Sequence, residues 1–350
     1  MTSYRAFALG SLGRATVLPY LGGVVRALGW MLAAFVQTLV RRIARGRPRP
    51  SWSFGFQLVL RYMRLDWEAT ADWDLARLRR EMDGRPYPNP HVKRVTSRDE
   101  VIGGVPTRIY GPREKKRDGA ILFLHGGSCV YGSAKTTHAD LLARIALESG
   151  AEVYGVDYRL APEHPYPAQL EDALSVFDAL VARGLDPSHI VLAGDSAGGN
   201  VAVAAQIALR DRPSAGAKAL ALLSPWVDLE MKGASFADDS LDFGNRAVLV
   251  RHAAAFAGAV PLDDPRVSPI RAQLSGLPET FVSWGKCEIP RDDIVSFVDA
   301  LRAAGVSVTT HAAEDMPHNP AFFADFNPNG RASVDALLAF LAARLPPHRG

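Results

Sequence analysis

Short apolar runs alternate with longer amphipathic stretches over most of the chain. The runs have the length of buried strands, and the longer stretches repeat apolar residues every three to four positions, as helices do. The predicted strands are 120–124, 152–158, 190–194, 219–223, 280–284 and 306–312, and the predicted helices are 139–148, 170–183, 197–210 and 292–304. This alternation predicts an α/β fold with a mostly parallel central sheet and helices on both faces.

Two further segments have helical patterns outside this alternation. Residues 51–91 contain two amphipathic stretches, 52–64 and 67–82, with a break near residue 65, and a β hairpin is predicted after them around Gly103 and Gly104. Polar and helical sequence at about 230–260 interrupts the strands. We predict that both segments contribute helices to a lid on a catalytic domain of residues 92–350.

The first fifty residues differ from the rest of the chain. Residues 17–40 are apolar apart from Arg26, Gln37 and Thr38, and five arginines follow before Pro50. A helix of this length could span a bilayer, but a charge near its middle costs about 2.5–3.5 kcal/mol on translocon scales. Two hypotheses therefore stay open for residues 1–50: association with a membrane, or a lid helix whose apolar face covers the active site.

Charge is unevenly distributed along the chain. The net charge is only +3, yet residues 1–65 contain ten arginines and no acidic residue. This segment suits anionic phospholipid headgroups, and it lacks the interleaved aromatic and polar residues of proteins that read nucleic-acid bases. A membrane surface is therefore a predicted partner, and nucleic acid is not. If the helix spans, the arginines after it place the catalytic domain in the cytosol.

Cysteine content is low, with only Cys129 and Cys287. Two cysteines are too few for a disulfide framework, which suits a reducing, cytoplasmic compartment. Neither has metal-ligand spacing, and we assign no catalytic role to them.

The strongest chemical signal is the sequence Gly194-Asp195-Ser196-Ala197-Gly198. It follows a predicted strand and begins a predicted helix. A serine at such a sharp turn presents its hydroxyl at the carboxyl edge of the sheet, and the small residues beside it allow the turn without clashes. Ser196 is therefore the predicted nucleophile.

Glycines also follow the strand at 120–124, in His125-Gly126-Gly127-Ser128. Backbone N–H groups of Gly126, Gly127 and Ser128, together with that of Ala197, are predicted to form an oxyanion hole. We expect His125 to orient this loop rather than bind a metal, because no other ligand stands at suitable spacing. No metal or organic cofactor is predicted.

The last two predicted strands locate a base and an acid, because loops after parallel strands converge on one edge of the sheet. His318 follows the last strand and is the predicted general base. Glu288 is the first carboxylate after the penultimate strand and is the predicted acid. Asp292 and Asp293 fall at a predicted helix start, where acids stabilise the helix dipole.

Several motifs in this order resemble the hormone-sensitive lipase family of α/β-hydrolase esterases. They are the motifs at 125–127, 157–164, 194–200, 224–228 and 264–269, and the likeness covers roughly residues 90–345. The resemblance implies hydrolysis of esters with short or medium acyl chains, without a cofactor. This chain departs from the family at Ser128, where a third glycine is usual, and at Glu288, where an aspartate is usual.

Other functions remain open at this stage. The same site can support hydrolysis of amides or lactones, or an elimination. A hydrolase scaffold can also serve as a ligand-binding receptor without catalysis, as in the plant gibberellin receptors of this family. Those receptors have lost the histidine, so the presence of His318 argues against that function.

Overall fold

A single eight-stranded sheet forms the centre of the molecule. The computed structural model describes residues 14–212 and 216–348, with side chains from residue 26 onward. The strands are β1 (Thr96–Ile102), β2 (Val105–Gly111), β3 (Ala120–Leu124), β4 (Glu152–Val156), β5 (Ile190–Asp195), β6 (Ala219–Leu223), β7 (Thr280–Gly285) and β8 (Val308–Ala313). Their order is β1-β2-β4-β3-β5-β6-β7-β8. β2 runs antiparallel to both neighbours and the other pairs are parallel, as predicted.

Helices cover both faces of the sheet, which is why every residue of the central strands β3 and β6 is buried. The covering helices are α4 (Ala139–Ser149), α5 (Ala168–Ala182), α6 (Ala197–Arg210), α8 (Arg291–Ala303) and α9 (Pro328–Ala342). Side chains of α5, α6 and α8 pack in one core, and those of α4 and α9 pack in a second core. The α/β fold with helices on both faces is confirmed.

Most observed elements lie within two residues of their predicted bounds. α9 was not predicted, although its start carries a recognisable signal: the side chain of Asn327 accepts a hydrogen bond from Asn329 N, and Pro328 occupies the first turn. Its apolar face, which includes Val334 and Leu337, packs against the sheet.

Within the described residues, three helices precede the sheet and one lies in the insertion after β6. They are α1 (Arg14–Arg45), α2 (Phe54–Thr70), α3 (Leu75–Asp83) and α7 (Arg246–Ala257). Short 3₁₀ turns occupy Val92–Arg94, Pro187–His189, Ala234–Ala237, Pro269–Arg271 and Pro320–Phe323. α2 continues through the break that the sequence predicted near residue 65, and α3 begins where Asp74 accepts a hydrogen bond from Arg77 N.

The two segments predicted to form a lid contact each other. Arg64 Nη2 in α2 lies 2.8 Å from Asp239 Oδ1 in the insertion. The ring of Trp67 lies 6.2 Å from those of Phe243 and His252. α2 also packs against the segment after β8, since the Phe56 and Phe323 rings meet edge to face. The N-terminal helices and the insertion therefore form one continuous layer.

α1 contains a stretch, Arg26–Arg45, that is long and apolar enough to cross a membrane by length and composition alone. This helix packs along α2, but most of its large apolar side chains from residue 28 to residue 43 are exposed. The hypothesis of an apolar face turned onto the active site is therefore wrong for this stretch. Residues 1–13 of the predicted N-terminal segment lie outside the described residues.

Candidate active site

Ser196 lies in the sharp turn between β5 and α6. Its backbone has φ 51° and ψ −121°, a conformation that costs a residue with a side chain about 1–3 kcal/mol. Two hydrogen bonds hold it: Ser196 N–H donates to Leu223 O at 2.9 Å, and Ser196 O accepts from Trp226 N at 2.9 Å. The following helix directs the positive end of its dipole toward this turn.

Glycines on both sides of Ser196 make the turn sterically feasible. A Cβ on Gly194 would overlap the carbonyl group of Gly198. A Cβ on Gly198 would overlap the carbonyl group of Leu124, at the end of β3. The Gly-x-Ser-x-Gly pattern therefore reflects two close backbone approaches at the carboxyl edge of the sheet.

His318 and Glu288 meet beside this edge. His318 Nδ1 lies 2.7 Å from Glu288 Oε2, and Glu288 Oε1 accepts a hydrogen bond from Gly285 N at 3.1 Å. Glu288 is 1% exposed, so its contact with the imidazole is shielded from water. When the neutral ring donates its Nδ1 proton to Glu288, Nε2 is left as the basic nitrogen.

The loop after β6 connects the serine turn with the histidine loop. Ser224 Oγ accepts a hydrogen bond from Asn319 N at 3.0 Å, one residue after His318. Two residues beyond Ser224, Trp226 N donates to Ser196 O. Ser196, Glu288 and His318 thus follow strands β5, β7 and β8, whose carboxyl ends lie at the same edge of the sheet.

Asp195, which the sequence analysis gave no role, ties the glycine loop to the histidine loop. Its carboxylate is 2% exposed and accepts hydrogen bonds from Gly126 N at 2.8 Å and Asn319 Nδ2 at 2.6 Å. His138 Nε2 lies 3.1 Å away. Burial alone would raise the pKa of Asp195, but His138 and these donors outweigh it and lower the pKa.

The predicted oxyanion hole needs one correction, at Gly126. Its N–H already donates to the Asp195 carboxylate and is not free to face a substrate oxygen. Among the residues that the structure describes, the N–H groups of Gly127, Ser128 and Ala197 donate to no protein acceptor. Gly127 and Ser128 both have positive φ, 109° and 56°, which turns this loop away from the strand direction.

His125 orients the same loop, as expected. Its Nδ1 lies 2.7 Å from Gly126 O, and its ring stacks on Tyr158 with centroids 4.3 Å apart. Burial and the neighbouring His138 lower the pKa of His125 to about 4. The ring is therefore neutral at physiological pH, which leaves a proton on Nδ1 for this hydrogen bond.

Proteins similar to this chain include several esterases. A family model described as alpha/beta hydrolase fold matches residues 121–322. The chain is 35% identical over 232 residues to an acetyl-hydrolase of Streptomyces hygroscopicus (65% of this chain, 77% of that one). It is 32% identical over 271 residues to a carboxylesterase of Mycobacterium tuberculosis (74% and 84%). A crystal structure of an esterase from the bacterial hormone-sensitive lipase family is 35% identical, with TM-score 0.75, over 81% of this chain and 95% of that one.

The chain belongs to the hormone-sensitive lipase family of α/β-hydrolase esterases. It is a carboxylic ester hydrolase, as its relatives are. The resemblance predicted from the sequence motifs is therefore confirmed.

In this esterase, Asp242 supports the pair formed by His318 and Glu288. It is the third buried carboxylate of the site, after Glu288 and Asp195. Asp242 Oδ1 accepts a hydrogen bond from His318 N at 3.1 Å, and its Oδ2 accepts one from Ile289 N at 2.9 Å. Asp242 is 4% exposed and belongs to the insertion predicted as a lid. The sequence carried no specific signal for it, because it lies 47 and 76 positions from these two partners.

Asp292, the alternative acid, bonds elsewhere in the esterase. Its carboxylate accepts a hydrogen bond from Ser235 N at 2.8 Å and pairs with Arg291 at 2.9 Å. It lies in the first turn of α8. Of the two acids considered, the structure brings Glu288 to His318.

The charges around His318 change its proton affinity. Burial alone would lower the pKa of His318. The hydrogen bond and negative charge of Glu288, with the charges of Asp242 and Asp195, outweigh burial and raise this pKa above its ordinary value. The imidazolium form is therefore stabilised, which is the form that a general base reaches after taking a proton.

A small cavity lies under the helical layer of the esterase. It is lined by Trp67, Thr70, Leu78, Met82, Tyr131, Val248 and His252. These residues come from α2, α3 and α7, and Tyr131 closely follows the glycine loop. Its lining is mostly apolar.

Proposed function

We propose that this esterase cleaves carboxylic esters through an acyl-enzyme intermediate on Ser196. Ser196 Oγ attacks the ester carbonyl carbon while His318 Nε2 takes its proton, and His318 then returns the proton to the leaving alcohol. A water molecule repeats the sequence at the acyl-enzyme and releases the acid. The observation that carries this proposal is the 2.7 Å contact between His318 and the buried Glu288 beside the strained Ser196 turn.

Glu288 keeps the imidazole in the tautomer with Nε2 free and stabilises the imidazolium. The N–H groups of Gly127, Ser128 and Ala197 stabilise the developing oxyanion, and losing one such donor typically costs about 3 kcal/mol in the transition state. The Gly126 amide has a positioning role, since its bond to Asp195 fixes the loop.

Short to medium acyl chains are the proposed substrate range. The cavity beside the glycine loop is small and closed by α2, α3 and α7. A relative from Streptomyces hygroscopicus bears the name acetyl-hydrolase. We further propose that these helices, from residues 51–91 and from the insertion at about 230–260, act as a lid on the catalytic domain.

Hydrolysis of a series of p-nitrophenyl esters tests this proposal. We expect kcat/KM to be highest among acetate, butyrate and hexanoate and to fall for palmitate. A burst of p-nitrophenol equal to the enzyme concentration would reveal the acyl-enzyme. A preference for palmitate would contradict the chain-length proposal alone, whereas absence of hydrolysis of every ester would contradict the proposed chemistry.

We also propose that residues 1–50 bring the esterase to the cytoplasmic surface of a membrane. The support is the run of arginines without acidic residues and the exposed apolar side chains of α1. Cell fractionation tests it: the full chain should sediment with membranes, and a chain that begins at Pro50 should remain in the supernatant with its esterase activity.

A further inference from the structure

The outer face of α1 carries a continuous apolar stripe. Its members recur every three or four residues and are between 41% and 78% exposed. They are Leu28, Met31, Leu32, Phe35, Val36, Leu39, Val40 and Ile43. Single exposed apolar residues are common in proteins, but a contiguous apolar surface of this kind marks a contact with something outside the fold.

The opposite face of α1 contacts the rest of the protein. Arg26 Nη2 pairs with Glu81 Oε2 in α3 at 2.6 Å, and Arg61 Nε in α2 donates to Gln37 Oε1 at 2.6 Å. Between these contacts, Ala34 is buried. These contacts, at residues 26 and 37, hold α1 along α2 and tie it to α3 through Glu81.

These contacts are incompatible with a membrane-spanning helix. In a span, the whole circumference of the stretch from Arg26 to Arg45 would face lipid. Arg26 would then leave Glu81 and the ring of Trp73, which now lies 4.8 Å from its guanidinium. An amphipathic helix held against its own domain instead presents one apolar face, the property of helices that lie within a membrane interface.

Charge identifies the kind of surface that α1 contacts. Arg41, Arg45 and Arg47 are exposed at and after the end of the stripe. Residues 1–65 contain no acidic residue, so a second copy packed through this segment would supply no carboxylate opposite these arginines. Anionic phospholipid headgroups supply negative charge beside an apolar interior, and each basic residue near such a surface contributes about 1 kcal/mol.

We propose that α1 lies in the plane of an anionic bilayer surface, with its apolar stripe among the acyl chains and the arginines after it at the headgroups. This inference rests on the membrane attachment proposed above and specifies its mode, and it does not depend on the esterase mechanism. Since α1 lies on α2, which lines the substrate cavity with α3 and α7, the bilayer would adjoin the lid.

Flotation of the purified full chain with preformed vesicles tests this proposal. We expect binding to vesicles of phosphatidylcholine with phosphatidylglycerol, weaker binding to phosphatidylcholine alone, and release by alkaline carbonate. Leu32→Glu combined with Ile43→Glu should reduce binding about tenfold or more, because two charged groups enter the apolar stripe.

A matched control uses apolar residues that are exposed elsewhere. Val101→Glu combined with Val295→Glu adds the same charge at positions 67% and 39% exposed, outside α1, and should bind vesicles nearly as the original chain does. Turnover of a soluble p-nitrophenyl ester, unchanged in both double variants, would show that the fold is intact.

Three results would overturn the in-plane proposal. Resistance to carbonate extraction would indicate a spanning helix and leave membrane attachment standing. A dimer that becomes a monomer in the Leu32→Glu, Ile43→Glu variant, without vesicle binding by the original chain, would identify a second copy as the partner. Equal vesicle binding by the two double variants would assign attachment to another surface.

Discussion

The sheet edge around Ser196 and the outer face of α1 contrast in how their side chains find partners. At the sheet edge, charged groups are buried and each has protein partners: Asp195, Asp242 and Glu288 are all at most 4% exposed and all accept backbone N–H groups. On α1, apolar groups are exposed instead. The charged groups of the first region find their partners within one chain, whereas the apolar side chains of the second are those that we propose to contact a surface outside it.

The first prediction tests the sheet edge through its acid. Glu288→Gln should lower kcat by a factor on the order of 10⁴, because the amide no longer holds the required imidazole tautomer or stabilises the imidazolium. Asp292→Asn is the matched control, since Asp292 bonds to Ser235 and Arg291 rather than to His318. Steady-state kinetics on one soluble ester compares them. A larger loss from Asp292→Asn would reject Glu288 as the acid.

Asp195→Asn probes the connection between the two loops of the site. The substitution should place an amide N–H₂ against Gly126 N, Asn319 Nδ2 or His138, which are the present donors to the carboxylate. Leaving a buried donor unsatisfied costs about 1–3 kcal/mol, so both the melting temperature and kcat should fall. Differential scanning calorimetry and kinetics measure them. An unchanged kcat would show that the Gly126 loop does not depend on this anchor.

The pH dependence of kcat/KM tests how the buried carboxylates of the sheet edge act on the pKa of His318. His318 acts as a base only when neutral, and its raised pKa therefore places the acidic limb of the profile above the ordinary histidine value of about 6.5. Asp242→Asn removes a negative charge next to His318, so the limb should shift to lower pH, with a smaller loss of kcat than Glu288→Gln causes.

Asp238→Asn serves as the control for Asp242→Asn. Asp238 lies in the same insertion, but its carboxylate caps Ser240 N and does not contact His318. Its profile should coincide with that of the original enzyme. If the acidic limb of the pH profile moves equally in both variants, or does not move in Asp242→Asn, then Asp242 does not raise the pKa of His318.

The smallest effect on esterase turnover is expected from removing α1. Removing residues 1–49 should leave kcat for a soluble short ester within about twofold, because none of the α1 side chains that the structure describes, from residue 26 onward, lines the cavity between α2, α3 and α7. Membrane association should be lost in the same protein. A soluble, folded chain that starts at Pro50 but has lost turnover of soluble esters would show that α1 supports the lid and that the two regions are not separate.

Sequence reasoning could propose Ser196, His318 and Glu288 because each follows a local pattern, the end of a predicted parallel strand. It also recovered the strands, since the buried central strands are short uniform apolar runs. Asp242 and Asp195 were missed because their roles depend on contacts between residues 47 to 76 positions apart, which no local pattern marks.

Two predictions were wrong: that the Gly126 N–H faces the oxyanion, and that the apolar face of α1 covers the active site. The two errors have a common physical cause. A glycine at position 126 shows that the backbone can approach closely, but the direction of its N–H depends on Asp195, which is 69 residues away. In the same way, apolar residues at 28–43 predict a helix with an apolar side, but which side faces the protein depends on α2 and α3. Orientation is a tertiary property in both cases.

The most direct test of the account is the site of covalent labelling by a fluorophosphonate, which reacts with activated serine hydroxyls. The account predicts one label per chain, located by peptide mass spectrometry on Ser196, and loss of both labelling and esterase activity in Ser196→Ala while the protein stays folded. Labelling on another residue, or Ser196→Ala enzyme that retains more than a trace of activity, would contradict it.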